Sequence, residues 1–98
     1  MSAKQLKEAF ANQKLNSAVV EIDGVGKVLI RELTFGDIEH LDSSGTQDGN
    51  ARNLALALYS EDGKERIFDP DNQDDVEIIK GLSNRMVNRI AGALQVKN

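Results

Sequence analysis

The chain has 98 residues, 40% of them apolar and only 4% aromatic, so it supports one domain with an aliphatic core. Its net charge of −4 argues against a nucleic-acid binder, which needs lysine and arginine to neutralise phosphate. The absence of cysteine excludes disulfides, thiolate nucleophiles and thiolate metal sites.

The opening segment, MSAKQLKEAF, is charged and amphipathic and has no apolar run of the kind a signal peptide carries. Residues 3–15 read as a helix. Ala3, Leu6, Ala9 and Phe10 mark one face, and Lys4, Lys7, Glu8 and Lys14 occupy the rest. The stripe is narrow. It leaves two outcomes open: packing on the open face of the following hairpin, or a partner-binding surface made by Leu6 and Phe10.

Residues 17–33 read as a β-hairpin. Val19, Val20 and Ile22 are answered by Val28 and Ile30 across Asp23-Gly24-Val25-Gly26, and Asp-Gly is a strong turn signal. Glu21, Lys27 and Arg31 are expected to face water. Thr34 is placed to cap a short helix to about Leu41, with Asp37 closing a capping box, and Phe35, Ile38 and Leu41 lie along one side. Residues 42–50 hold glycines and small polar side chains and no apolar one, which predicts a mobile loop.

Residues 51–60 read as the most apolar helix, with Leu54, Ala55 and Leu58 on one face and Leu56 and Tyr59 broadening it. The unbroken run from Leu54 to Tyr59 is far short of the about 20 residues a membrane span needs. After a turn at 61–64, Ile67 and Phe68 are short and extended. Asp69-Pro70 is expected to open a helix over 71–82, with Asp74, Asp75 and Glu77 near its positive end and Val76, Ile79 and Leu82 inward. Ser83 caps a last helix over 84–95, whose core stripe is Met86, Val87, Ile90, Ala91 and Leu94.

No chemistry-bearing pattern rises from this order. Asp69, Asp71, Gln73, Asp75 and Glu77 alternate like a calcium loop, but Asp74 and Lys80 stand where that loop needs glycine and glutamate. His40, the one histidine, reads as a surface side chain with no nucleophile beside it. Gly24 and Gly26 lie between two strands, whereas a phosphate loop needs a helix start. Lys80, Arg85, Arg89 and Lys97 gather around a helical hairpin that could imitate a helix-turn-helix, yet its first helix opens with acidic residues. The expectation is a single α+β domain over 1–98: an N-terminal helix, one β-hairpin, then four helices packed on it over 34–96. It has no catalytic residue, metal or cofactor, and takes neither nucleic acid, membrane nor small-molecule substrate.

Several short motifs fall in a telling order. A hairpin with a tight glycine turn leads into Arg31-Glu32-Leu33-Thr34 and Phe35-Gly36-Asp37. A mostly apolar helix then ends in Leu58-Tyr59-Ser60-Glu61-Asp62-Gly63-Lys64, followed by Ile67-Phe68, an acidic helix and a final amphipathic helix. Over residues 18–96 this order resembles the tail assembly chaperones of long-tailed bacteriophages. The resemblance implies a binder of the tape measure protein and of tail tube protein, working in the host cytoplasm and absent from the mature virion, with homo-oligomers possible. It also implies a longer product made by −1 frameshifting, which the terminal Val96-Lys97-Asn98 permits if its codons slip. A virion structural protein, such as a head–tail connector or tail terminator, and a small DNA-binding regulator are the alternative functions.

Overall fold

The computed structural model describes residues 1–45 and 47–95. The order is α1 (Ala3–Ala11), β1 (Ser17–Ile22), β2 (Gly26–Arg31), α2 (Phe35–Ser43), α3 (Gly49–Ala57), β3 (Leu58–Ser60), α4 (Gln73–Lys80) and α5 (Asn84–Gln95). The fold is α+β, with a helix before the hairpin and four after it, as expected. Val96-Lys97-Asn98, which carry the frameshift expectation, and Lys97 of the basic group lie outside the described residues.

The sheet is antiparallel, in the order β1-β2-β3. At the hairpin tip the Val25 N–H donates to the Ile22 carbonyl at 3.0 Å. Gly24 sits at φ 83° and Gly26 at φ 116°, values that side chains with a Cβ avoid. Strand alternation then sorts the side chains. Val20, Ile22, Val28 and Ile30 turn inward and are buried, while Val19 stays 51% exposed on the other face. Arg31, expected in water, is half-buried.

The third strand departs from the sequence reading. The helix expected to run to residue 60 stops at Ala57, and Leu58–Ser60 pairs with β2, Leu58 opposite Ile30 and Tyr59 opposite Leu29. A strand sends neighbouring side chains to opposite faces. Leu58 therefore enters the core while Tyr59 lies on the outer face, an arrangement one more helical turn could not produce. Pairing also satisfies backbone groups along β2 that a hairpin alone leaves to solvent.

The helices close the inner face. Val20, Ile22, Val28, Ile30, Leu54, Ala55, Ala57, Leu58, Ile79 and Ile90 form one buried cluster. Ile90, from α5, is its most enclosed large side chain at 1% exposure. α5 packs on β1 and β2, and α3 is flanked by α2 and α4. Met86, Val87 and Leu94 join the core from its edge. Ala91 of the expected stripe is instead exposed, because the helix turns Ala93 inward.

Local capping chemistry sets the helix ends. Thr34 and Asp37 form the expected capping box, each side chain accepting from the other's backbone N–H at 3.0 Å. The Ser83 hydroxyl accepts from the Met86 N–H at 3.1 Å. α4 begins later than Pro70 suggested, since Asn72 accepts from the N–H groups of Asp74 and Asp75, and it ends at Lys80, ahead of Gly81. The predicted loop at 42–50 is shorter than expected: Asp42 and Ser43 complete α2, and Gly49 already belongs to α3.

α1 stands apart. It spans 9 residues and buries none of them. The radius of gyration is 15.1 Å, against about 13 Å for a compact domain of this length.

Candidate interaction surfaces

α1 is capped by its own side chains. Ser2 Oγ accepts from the Gln5 N–H at 3.2 Å and Gln5 Oε1 accepts from the Ser2 N–H at 2.9 Å, a complete capping box that the sequence reading missed. It stops at Ala11, short of the expected residue 15, because Asn12 leaves the helical conformation and caps it. Leu6 and Phe10, spaced i and i+4, fall on one face, and are 45% and 77% exposed. The structure therefore brings the two predicted partner residues together and leaves them off the hairpin. Lys4, Lys7 and Lys14 against Glu8 make segment 1–16 net positive in a net negative chain. The arm is anchored where it meets the sheet: the Asn16 N–H donates to Glu32 Oε1 at 2.8 Å, and the Glu32 N–H donates to the Asn16 carbonyl at 3.0 Å.

α2 leaves from the same end of the hairpin, since Ser17 pairs with Arg31. Of its three apolar side chains only Leu41 is buried, while Phe35 is 80% exposed and Ile38 is 41% exposed.

A polar cluster joins the loop after α2 to the start of α4. Arg52 is 7% exposed, the one buried charged side chain among the described residues. Its Nε donates to the Pro70 carbonyl at 3.2 Å, its Nη1 to the Gly45 carbonyl at 2.9 Å, and its Nη2 to Ser44 Oγ and to Asp71 Oδ1. His40 Nε2 lies 2.9 Å from Asp71 Oδ2. Hydrogen bonding from His40, followed by the Arg52 guanidinium, holds the Asp71 carboxyl below the usual carboxylate range. Sequence reasoning missed Arg52, although a lone arginine just ahead of the apolar run from Leu54 to Tyr59 was a readable signal.

The acidic run around it is occupied by the fold. Asp69 Oδ1 accepts from the Asp71 N–H and Asp75 Oδ2 from the Asp69 N–H, both at 2.8 Å. Among the described residues no group of three or more histidine, aspartate or glutamate side chains is placed to hold a metal. Two members of the basic group are likewise engaged by the fold. Lys80 pairs with Asp48 at 3.1 Å, and Arg89 Nε donates to the Glu21 carbonyl at 3.1 Å.

On the outer face of the sheet, Arg31 stacks 4.2 Å from the Tyr59 ring centroid and Arg66 lies 5.6 Å from it. The Nη2 of each donates to Tyr59 Oη. No helix among the described residues is long and apolar enough to cross a membrane. No family model, curated protein or solved structure matches the chain.

Proposed function

We propose that this chain is a non-enzymatic tail assembly chaperone of a long-tailed bacteriophage or prophage. It binds the tape measure protein in the host cytoplasm and keeps it soluble while tail tube protein assembles around it. The observation that carries this reading is α1, a capped amphipathic helix with Leu6 and Phe10 in solvent and no residue buried. Isolated helices this short are marginal in water and gain their stability from the surface they lie on. Such a stripe suits a long helical partner, which offers repeated apolar grooves of the same kind. The order of elements behind α1 supports the same reading, because the hairpin, the acidic α4 and the amphipathic α5 fall in the order the resemblance implies, although β3 replaces the end of its apolar helix.

Co-expression with the tape measure protein encoded beside the gene tests the proposal. The expected result is a soluble complex of the two, and tape measure protein that aggregates when expressed alone. Mass spectrometry of finished particles is expected to find the tape measure and not this chain. A particle that retains it would make it a structural component instead.

A further inference from the structure

The outer face of the sheet carries a cationic pair that the fold leaves unmatched. Val19, Leu29 and Tyr59 form one row across β1, β2 and β3, and Arg66 extends it by bridging to Tyr59. Arg31, two residues beyond Leu29, shares that face. Tyr59 is 7% exposed, with the Arg31 and Arg66 side chains against its ring and hydroxyl. The two guanidinium groups thus share one hydroxyl. Among the described residues no carboxylate lies within ion-pair distance of either. Like charges held this close repel one another, and an anion placed between them relieves the repulsion. Each guanidinium has five N–H donors in a planar fork that matches a carboxylate, and the described bonds use only the Nη2 group of each.

We infer that this face docks an acidic amphipathic helix of a partner protein, whose carboxylate bridges Arg31 and Arg66 while its apolar side chains cover Val19 and Leu29. The inference rests on the proposed function only in taking the partner to be a protein. Val19, at 51% exposure, and half-buried Leu29 give the surface an apolar half that a phosphate backbone would not use. The net charge of −4 repels a polyanion more strongly than it opposes a single carboxylate. The approach is to the face of the sheet, since the Glu21 carbonyl of β1 already accepts from Arg89 and Tyr59 of β3 is already bridged by Arg66. A helix fits the row because acidic and apolar side chains three or four residues apart lie side by side on it.

The test is a titration of the isotope-labelled full chain, followed by amide shifts. The probes are a synthetic amphipathic helical peptide carrying leucine and glutamate on one face, and its glutamine counterpart. The glutamate peptide is expected to bind about tenfold more tightly than the glutamine peptide at low salt, with shifts centred on Val19, Leu29 and Tyr59. Replacing Arg31→Gln and Arg66→Gln together erases that difference. The comparison of the two peptides on the unaltered chain stands even if this variant fails to fold. Equal affinities, no binding of the glutamate peptide, shifts confined to α1, or tighter binding of a duplex oligonucleotide would each overturn the inference. None of these bears on the tape measure reading, which is decided through Leu6 and Phe10.

Discussion

Arg52 reaches from α3 to the backbone just ahead of α4, its Nε donating to the Pro70 carbonyl at 3.2 Å. The same guanidinium holds the Gly45 carbonyl at 2.9 Å, so one side chain fixes the segments on either side of α3. Arg52→Met keeps the apolar stem and removes every donor. Two backbone carbonyls then lose their charged partner, and the expected cost is about 2 kcal/mol, read as a lower urea midpoint with an unchanged slope. A variant as stable as the parent would show that water replaces the guanidinium without loss.

Asp71 couples this cluster to pH. Its carboxyl is held below the ordinary value of 3.8, first by hydrogen bonding from His40. A depressed folded-state value means stability that is present above the unfolded value and lost as pH falls through the folded one. Asp71→Asn removes this dependence. From pH 5 downward, the parent's stability advantage over Asp71→Asn is expected to shrink below pH 3.8 and vanish once the folded-state carboxyl is protonated. Parallel curves for the two proteins in thermal melts across that range would contradict the assignment.

Ile90 sits at 1% exposure between α5 and the sheet. Ile90→Ala leaves a cavity there, and the expected loss is about 2–5 kcal/mol. Such a loss is a large fraction of the stability of a small domain. Calorimetry decides. An unchanged melting temperature would mean that the α5 stripe is an outward-facing surface and not core.

What could be read before the structure was mostly local. The Asp23-Gly24 turn, the Thr34–Asp37 box and the Ser83 cap each depend on a few consecutive residues, and each appears where the pattern put it. β3 escaped because Leu54 to Tyr59 is apolar throughout, and a run without polar gaps carries neither a helical nor a strand period. Its choice of strand is made by β2, a partner far away in the chain. The same distance hid the meeting of Arg31, Tyr59 and Arg66, which exists only once β3 is in the sheet. The position of Arg52 beside an apolar run was readable, but its partners were not, because two of them are the backbone carbonyls of Gly45 and Pro70, which no residue pattern announces. Leu6 and Phe10 were legible as a stripe too narrow to bury itself, but whether they met the hairpin depended on the path of residues 12–16.

The central claim is that α1 presents Leu6 and Phe10 to a partner. The most direct measurement is the double variant Leu6→Ser, Phe10→Ser, co-expressed with the tape measure protein and melted alone. Since neither side chain is buried, the melting temperature is expected to stay within a few degrees of the parent's, while the tape measure protein moves to the insoluble fraction. A variant that unfolds early, or that keeps the tape measure protein as soluble as the parent does, would contradict the account.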